Sequence, residues 1–507
     1  MIPVVYKKAM QELDAHMIDN LLIPSCILME NAAFGITSAI SAKFSKNTKI
    51  VAVCGTGNNG GDGFAAARQL SAKGYDVCVC LVGSKNSLTG DAAANAAFFG
   101  ERIIEINDEY DARLHFENLC GCVVIDAIFG IGLSRQVTGL YAFVMTLLNS
   151  SGAYIIACDI PSGIHSDSGA VLGTAVRANE TVTFQCAKPG HFLYPGRDFT
   201  GNLIVKEIGV SGNFDLGDTY AYSDGLYLQK RGADTHKGSY GKLACVVSSQ
   251  GFSGAGILCV CGALKAGAGL VTAGIPSCMQ PVFSTRVTES MTFALADFSG
   301  SLSENCLSGL DMLIQGKTAL AAGPGISTGD GVKKAVAHMV QNYNIKKVFD
   351  ADALNVIALN PRILENKQGD IILTPHLVEF SRLCRKEPDV IREAPIETAK
   401  AFANSYNVTL LLKGATTIVT DGARTALVLC GTPGMAKGGS GDVLTGVIGG
   451  LLCGGKPGGM DCFTAALYGA YICGKAGEAA AERFGEYSMT TADTLGFIPQ
   501  ITKEMTL

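Results

Sequence analysis

The sequence has no long run of Lys and Arg and no uninterrupted apolar stretch long enough to span a bilayer. Only 17% of its 507 residues are charged, and the net charge is −5. These absences argue against nucleic acid or an anionic membrane surface as the main partner. Residues 1–22 carry acids every few positions and lack the apolar core of a signal peptide, so we expect a cytoplasmic protein.

Histidine is also scarce, with seven residues, and none of the 18 cysteines forms a C-x-x-C pair. Many of the cysteines lie inside apolar runs, as Cys78 and Cys80 do. Buried, reduced thiols that act as small hydrophobic side chains are therefore favoured over a zinc or iron–sulfur site.

What the sequence does contain is 48% hydrophobic residues and 62 glycines, a composition typical of a large α/β protein. Strand-like runs such as Ile50–Cys54 and Val123–Ala127 alternate with helix-like segments, which predicts parallel strands with crossover helices. A second alternation starts at Lys242, after the polar, turn-rich segment 211–236. We therefore predict two domains, residues 1–215 and residues 225–507.

The stretch CGTGNNGGDG, residues 54–63, contains a G-x-G-x-x-G directly after an apolar run. A dinucleotide-binding site of a dehydrogenase also requires an acidic residue at the end of the next strand. The next strand-like run, Tyr75–Val82, ends without Asp or Glu. The loop is thus predicted to cradle a ligand, but not in the manner of a dehydrogenase.

Two further strand ends carry an acid followed by Gly-rich backbone: DAIFGIGLSRQVTG from Asp126, and DIPSGIHSDSG from Asp159. Ligands of such sheets bind beyond the carboxyl ends of the strands. Asn59, Asp126 and Ser162 offer hard oxygen ligands that suit a group 1 or group 2 cation. Asp159 is a candidate general base. The alternative is that these polar residues only cap the helices that follow.

The motifs IPSCILMENAA, GNNGGDGF, DAIFGIGLSR and DIPSG together resemble the NAD(P)H-hydrate epimerases, over nearly all of residues 1–210. The resemblance implies that hydrated NADH or NADPH binds here together with a potassium ion held by Asn59, Asp126 and Ser162. It also implies that Asp159 contacts the substrate. The other implied substrate contacts are Asn58, Asn59, Gly60, Gly61, Asp62, Gly130, Ile131, Gly132, Leu133, Ser134, Arg135 and Gln136.

The strongest local signal of the second half is KGGSGDVLTGVIGG, residues 437–450. Its glycines would let backbone N–H groups approach a phosphate at a helix N-terminus. It is not a Walker A loop, because Lys437 precedes the glycines. Asp442 would lie in the first helical turn, where a carboxylate can deprotonate a hydroxyl for attack on phosphorus. The alternative role for Asp442 is a helix cap.

The G-S-G-D arrangement resembles the ribokinase-like small-molecule kinases. HKGSYGKLACVV, GALKAGAGLVTAGIP, GPGIS, DADALN, LTPHLVEF and LLKGATTIV narrow this to a resemblance to the ADP- or ATP-dependent NAD(P)H-hydrate dehydratases, over residues 225–500. The implied nucleotide contacts are Lys413, Gly414, Ala415, Thr416, Thr417 and Gly441, and the implied contacts to the hydrated dinucleotide are Ala255, Gly325, His376 and Asp442.

Two departures from the family pattern fall on the substrate side. The loop after the first strand reads SSQGFSGAG, residues 248–256, where the family usually has Gly-Gly-Ser. The histidine motif reads His376-Leu377-Val378-Glu379, where the family usually has His-Pro-Gly-Glu. Both changes add bulk near Ala255 and His376.

The sequence therefore predicts an α/β protein, with an N-terminal Rossmann-like doubly wound sheet followed by a ribokinase-like α/β domain. The predicted function is repair of hydrated NADH and NADPH: epimerisation of the R and S hydrates, then dehydration of the S hydrate with ADP, or else ATP, as co-substrate. K⁺ and Mg²⁺ are the expected ions, and a homo-oligomer is expected. The alternatives are a vitamin or sugar kinase with a fused dinucleotide-binding domain, and a first domain that serves only as a scaffold or sensor.

Overall fold

The protein is described by a computed structural model, which covers residues 1–209, 217–454 and 459–507. Its internal contacts divide the chain into two units, Ile2–Gly217 and Asp218–Leu507. The predicted limits of the two domains, 1–215 and 225–507, stay a prediction, and residue 215 lies outside the described residues.

The first unit is built on a sheet of seven parallel strands, in the order β3-β2-β1-β4-β5-β6-β7. The order reverses between β1 and β4, as in a dinucleotide-binding doubly wound sheet. The strands are β1 Ile50–Cys54, β2 Val77–Val82, β3 Ile103–Ile106, β4 Val123–Ala127, β5 Tyr154–Cys158, β6 Glu180–Phe184 and β7 Asn202–Lys206.

Helices cover both faces of this sheet, so β1 and β4 are buried along their whole length. Pro24 directly precedes a helix that begins at Ser25. A two-residue strand, Ile2–Pro3, precedes the helices, which are α1 Lys7–Ala15, α2 Ser25–Lys43, α3 Asn58–Ala72, α4 Gly90–Ala97, α5 Glu109–Phe116, α6 Gly139–Ser150 and the short α7 Arg197–Thr200.

The second unit has a mixed sheet in the order β8-β17-β16-β15-β14-β13-β12-β9-β10-β11. Its central strands are parallel, and β16 is antiparallel to both neighbours. The strands are β8 Thr219–Tyr222, β9 Lys242–Val246, β10 Leu270–Pro276, β11 Met291–Leu295, β12 Ala319–Ala322, β13 Lys346–Phe349, β14 Ile371–Leu373, β15 Thr409–Leu412, β16 Thr417–Thr420 and β17 Thr425–Val428.

The helices of the second unit include a pair whose backbones nearly touch. A Cβ on Gly446 would lie 1.9 Å from the backbone oxygen of Cys259, so only glycine allows this approach. A small hairpin pairs Asp297–Phe298 with Ser301–Leu302. The helices are α8 Ser253–Lys265, α9 Gln280–Arg286, α10 Leu307–Ile314, α11 Asp330–Asn342, α12 Asp352–Leu359, α13 Leu377–Cys384, α14 Pro388–Glu393, α15 Pro395–Tyr406, α16 Ser440–Gly454, α17 Cys462–Phe484 and α18 Thr491–Glu504.

These two sheets confirm the predicted fold class. The segment 211–236, which was expected to be turn-rich, also contains the short strand β8. Alternate residues of this strand, Thr219 and Ala221, are buried while the two tyrosines are half-buried, which is the period-2 pattern of a strand with one more buried face. Among the described helices, none combines the length and apolar composition needed to cross a membrane.

Candidate active sites

A cavity of about 650 Å³ opens beyond the carboxyl ends of β1, β4, β5 and β6 in the first unit. It lies at the point where the strand order reverses, which is where such sheets bind their ligands. Most of the predicted substrate contacts line it: Asn58, Asn59, Asp62, Gly130, Ile131, Gly132, Leu133, Ser134, Arg135 and Asp159.

Three predicted contacts do not line the cavity, namely Gly60, Gly61 and Gln136. The two glycines are in the first turn of α3, where they allow close packing. A Cβ on Gly60 would lie 1.9 Å from the backbone oxygen of Gly55, and one on Gly61 would lie 2.6 Å from Cε of Met29. Both glycines therefore have a packing role, which is independent of any contact with a ligand.

The predicted cation ligands Asp126 and Ser162 are fully buried and in direct contact. The hydroxyl of Ser162 donates to Oδ1 of Asp126 at 2.6 Å, and the backbone N–H of Ser162 donates to Oδ2 at 2.9 Å. Burial raises the pKa of Asp126 to about 6, against the stabilising effect of the hydrogen bonds from Ser162. A nearby cation would favour the ionised carboxylate.

The third predicted ligand, Asn59, lies in the first turn of α3 and lines the cavity. Its Nδ2 is buried and has no hydrogen-bond partner among the described residues. Its Oδ1 lies against Gly130, where a Cβ would come within 3.0 Å. The same part of the chain contains no cluster of three His, Cys, Asp or Glu side chains that suits a metal. The predicted set instead combines an amide, a carboxylate and a hydroxyl, whose oxygen atoms suit a group 1 or group 2 cation.

Asp159, the candidate base, directly follows β5 and has a φ of 65°, a left-handed conformation that is uncommon outside glycine. Its Oδ1 accepts hydrogen bonds from Nζ of Lys188 at 2.5 Å and from Oγ1 of Thr183 at 2.9 Å. Burial alone would raise the pKa of Asp159, but the Lys188 charge and these hydrogen bonds hold it below its ordinary value. Asp159 is therefore ionised at neutral pH.

Two more carboxyl groups line the same cavity, Asp14 from α1 and Asp62 from α3. Burial raises the pKa of both; repulsion from Asp159 also raises it, whereas the positive charge of Lys188 lowers it. No sequence motif assigned a role to Asp14 or to Lys188. Lys188 lies four residues beyond the end of β6, at the same edge of the sheet as Asp159.

In the second unit, α16 begins at Ser440, and Asp442 lies in its first turn as predicted. Burial and the nearby Asp350 raise the pKa of Asp442 and the positive charge of Lys413 lowers it, with a net value of about 6. Gly441 lies between these groups, since a Cβ there would come within 3.2 Å of Oδ2 of Asp350 and 3.3 Å of Nζ of Lys413. Two carboxyl groups, one lysine ammonium group and the glycine backbone of residue 441 therefore lie close together at this helix N-terminus.

Asp350 is a residue that the sequence analysis missed, although it stands in the quoted motif DADALN. It is 1% exposed and follows β13. Its Oδ1 accepts from Nζ of Lys413 at 2.8 Å, and its Oδ2 accepts from Oγ1 of Thr445 at 2.8 Å. Nζ of Lys413 also lies 3.8 Å from Glu379. Asp350 thus fixes Lys413, which begins the predicted nucleotide-binding turn Lys413–Thr417 between β15 and β16.

His376 has a local structural role in addition to its predicted contact. It is the N-cap of α13, where its Nδ1 accepts the N–H groups of Val378 and Glu379, and the carboxylate of Glu379 accepts the N–H of His376. Such a reciprocal arrangement is a capping box. His376 also pairs with Lys413 through a backbone bridge, which brings it beside the nucleotide-binding turn.

The structure brings Ala255 and Gly325 together. A Cβ on Gly325, whose φ is 66°, would lie 3.1 Å from Cβ of Ala255 and 2.9 Å from Cβ of Phe252. The hydroxyl of Ser249 donates to the backbone oxygen of Gly325 at 2.8 Å. The SSQGFSGAG segment therefore packs directly on the GPGIS loop, and Phe252 is the added bulk, 59% exposed at this edge.

Two family models match the sequence: YjeF-related protein N-terminus over residues 25–190, and NAD(P)H-hydrate dehydratase over residues 244–500. The bifunctional NAD(P)H-hydrate repair enzyme Nnr of Moorella thermoacetica is 36% identical, covering 98% of this chain and 96% of that protein. The enzyme of the same name from Thermofilum pendens is 35% identical, covering 94% and 92%.

A solved structure, the ADP/ATP-dependent NAD(P)H-hydrate dehydratase of Bacillus subtilis co-crystallised with ATP and Mg²⁺, is 26% identical. It covers 55% of this chain and 95% of its own, with a TM-score of 0.46. The two α/β units with sites at their strand ends define an enzyme of two domains. The sequence identity to these relatives over nearly the whole chain shows its family: the chain belongs to the family of bifunctional NAD(P)H-hydrate repair enzymes.

Proposed function

We propose that this chain repairs hydrated NADH and NADPH in two steps. The first unit interconverts the R and S epimers of the hydrate, and the second unit dehydrates the S epimer with ADP as the phosphoryl donor. The observation that carries the proposal is the convergence at each sheet: Asp159 faces a cavity lined by most of the predicted substrate contacts, and Asp442 lies beside Lys413 and Gly441.

Epimerisation needs a group that moves a proton. Water adds to the reduced ring so that the hydroxyl sits on the carbon next to the ring nitrogen. When a carboxylate accepts the hydroxyl proton, the ring C–N bond can break, with its electron pair going to nitrogen, which takes a proton from a second acid. Rotation and reversal of both transfers close the ring with the hydroxyl on the other face. Asp159, ionised and facing the cavity, is the proposed proton acceptor.

The proposed potassium ligands are Asn59, Asp126 and Ser162, whose oxygen-only chemistry fits the ion. When bound, a cation here supplies positive charge that attracts the phosphates of the dinucleotide. Asp126 and Ser162 also hold the loop after β4, because the N–H of Phe129 donates to Oγ of Ser162 at 2.8 Å. That loop contributes Gly130 and its neighbours to the cavity wall.

Dehydration is proposed to proceed through phosphorylation. Asp442 accepts the proton of the ring hydroxyl while the oxygen of that hydroxyl attacks the terminal phosphorus of ADP, and AMP leaves. Phosphate then departs with the C–O electron pair, and loss of a proton from the adjacent carbon restores the ring double bond. Backbone N–H groups of the glycine loop and the ammonium of Lys413 would stabilise the charge on the phosphates, and Mg²⁺ would enter with the nucleotide.

A vitamin or sugar kinase would share the Asp442 base but would release a stable phosphorylated product. Incubation of the full chain with mixed hydrate epimers, with and without ADP, separates the two functions. The repair function predicts recovery of the absorbance of reduced nicotinamide, with release of AMP and inorganic phosphate in equal amounts. Formation of a stable phosphorylated hydrate without recovery of absorbance would contradict it. ATP in place of ADP tests the choice of donor.

We further propose that the chain works in the cytoplasm as a homo-oligomer. The observation that supports the cytoplasm is membership of the NAD(P)H-hydrate repair family, whose substrates form where NADH and NADPH are used. Light scattering after gel filtration tests the oligomer, and a monomeric mass at the concentration of the assay would contradict it.

A further inference from the structure

Lys188 lines the first cavity, as the cationic Arg135 does, but no sequence motif assigns Lys188 a role. Its residue is 1% exposed, which is rare for a lysine unless its charge is paired. It lies four residues after the end of β6, directly before the turn Pro189–His191. Because the side chain is buried, Lys188 does not serve the solubility of the protein surface, and its burial needs another explanation.

The ammonium of Lys188 donates to three acceptors. They are Oδ1 of Asp159 at 2.5 Å, Oγ1 of Thr183 at 2.9 Å and the backbone oxygen of Phe184 at 3.3 Å. An ammonium group has three protons, so this arrangement uses all of them. Lys188 consequently has no proton left to donate to a ligand.

The same contacts occupy one oxygen of Asp159 and leave the other open. Oδ1 accepts from both Lys188 and Thr183, whereas Oδ2 accepts no hydrogen bond from the described residues. Asp159 is also held through its backbone, because Nε2 of His191 lies 2.9 Å from its carbonyl oxygen. Nδ1 of His191 accepts the N–H of Lys188, so Nε2 carries the proton and donates it.

The other titratable groups around Asp159 are neutral or like-charged. Burial and the Lys188 charge lower the pKa of His191 to about 4, and burial raises the pKa of the neighbouring Cys158 thiol. Asp14 and Asp62 face the cavity from α1 and α3 and have no ion pair within the described part of the chain. Among these groups Lys188 alone supplies positive charge to Asp159.

We propose that Lys188 is a positioning residue for epimerisation, which directs the free Oδ2 of Asp159 into the cavity as the proton acceptor and leaves the carboxyl of Asp62 as the proton donor. This inference rests on the proposed epimerase function of the first unit. Lys188 distinguishes the two acids: Asp159 accepts a hydrogen bond from its ammonium, whereas Asp62 has no hydrogen bond or ion pair within the described part of the chain. Burial raises the pKa of Asp62, which favours its protonated form. In the ring-opening step, Oδ2 takes the hydroxyl proton and Asp62 gives one to the ring nitrogen.

The test is the pH dependence of epimerisation in the full chain carrying Lys188→Met, which keeps length and apolar volume but removes the charge. An opposite charge at this distance lowers the pKa of an aspartate by about one to three units. The acidic limb of the rate profile should therefore move up by about one to three pH units, and the rate should recover at alkaline pH. A loss of equal size at every pH would overturn the inference, because it would indicate a structural role only.

Lys43→Met is the matched control. Lys43 also forms an ion pair with a buried carboxylate in the same sheet, at 2.6 Å from Glu180, but it does not line the cavity. The acidic limb in the pH–rate profile of the Lys43→Met variant should stay at the same pH as in the wild-type protein. A shift as large as that of Lys188→Met would contradict the inference, since any lost ion pair would then have the same effect.

Thr183→Val keeps the charge of Lys188 and removes one hydrogen bond to Oδ1, so it covers the case in which Lys188→Met does not fold. Its acidic limb should shift upward by less than one unit, and an unshifted limb would count against the inference. Wild-type protein decides the underlying function separately. If the wild-type protein fails to interconvert the epimers, the epimerase function is refuted. If it interconverts them and the acidic limbs of the variants stay at the wild-type pH, only the proposed role of Lys188 is refuted.

Discussion

Replacement of Asp442 by Asn should slow dehydration of pure S hydrate by about a hundred- to ten-thousand-fold, which is the usual contribution of a positioned general base. At about 1.36 kcal/mol for each tenfold, this corresponds to about 3–5 kcal/mol of transition-state stabilisation. The pKa of about 6 leaves Asp442 mostly ionised at pH 7, so the wild-type base is available for the reaction. The amide keeps the size of the side chain but cannot accept the proton.

The assay follows the absorbance of reduced nicotinamide at saturating ADP, from pH 5 to 8. Because the base acts only when ionised, the wild-type rate should fall as the pH drops through about 6, and Asp442→Asn should lack this limb. The control is Asp330→Asn, which makes the same change in the exposed first turn of α11. A variant that dehydrates at the wild-type rate would refute the role of Asp442 as base, and equal loss in the control would indicate a nonspecific effect of charge.

Three further results are expected. Asp126→Ala should weaken epimerisation and its dependence on potassium while dehydration of pure S hydrate stays unchanged; equal loss of both activities would contradict the cation site. Lys413→Met should raise the KM for ADP about tenfold or more, the usual effect of losing a charged hydrogen bond, and epimerisation should not change. Gly446→Ala should lower stability by about 1–3 kcal/mol, since the new Cβ would meet Cys259. Gly496→Ala, in open space on α18, should raise it by about 1 kcal/mol in the same thermal unfolding experiment.

The parts of the first site that could be predicted lie in motifs at strand ends. The carboxyl ends of parallel strands meet at one edge of the sheet, so the residues after β1, β4 and β5 had to come together. Lys188 escaped prediction because a lysine after a strand is usually solvent-exposed. Its burial depends on contacts with Asp159, 29 positions earlier in the chain, which no local pattern encodes.

In the second unit, the first-turn position of Asp442 follows from the glycine loop and the apolar helix after it. Asp350 was missed because its partners, Lys413 and Thr445, come from elements 63 and 95 positions away. The capping role of His376, by contrast, is local: a polar residue followed three positions later by Glu379 is a helix-start pattern that the sequence does contain. The strand β8 was missed because its four residues are surrounded by turn-forming ones.

The most direct test of the division of labour is the progress curve of the Asp159→Asn chain with mixed hydrate epimers and ADP. Wild-type protein should convert both epimers to completion. The variant should convert the S fraction at the wild-type rate and then slow to the rate of spontaneous epimerisation, with the R hydrate left over. Complete conversion at the wild-type rate, or loss of the first phase as well as the second, would contradict the assignment of one reaction to each unit.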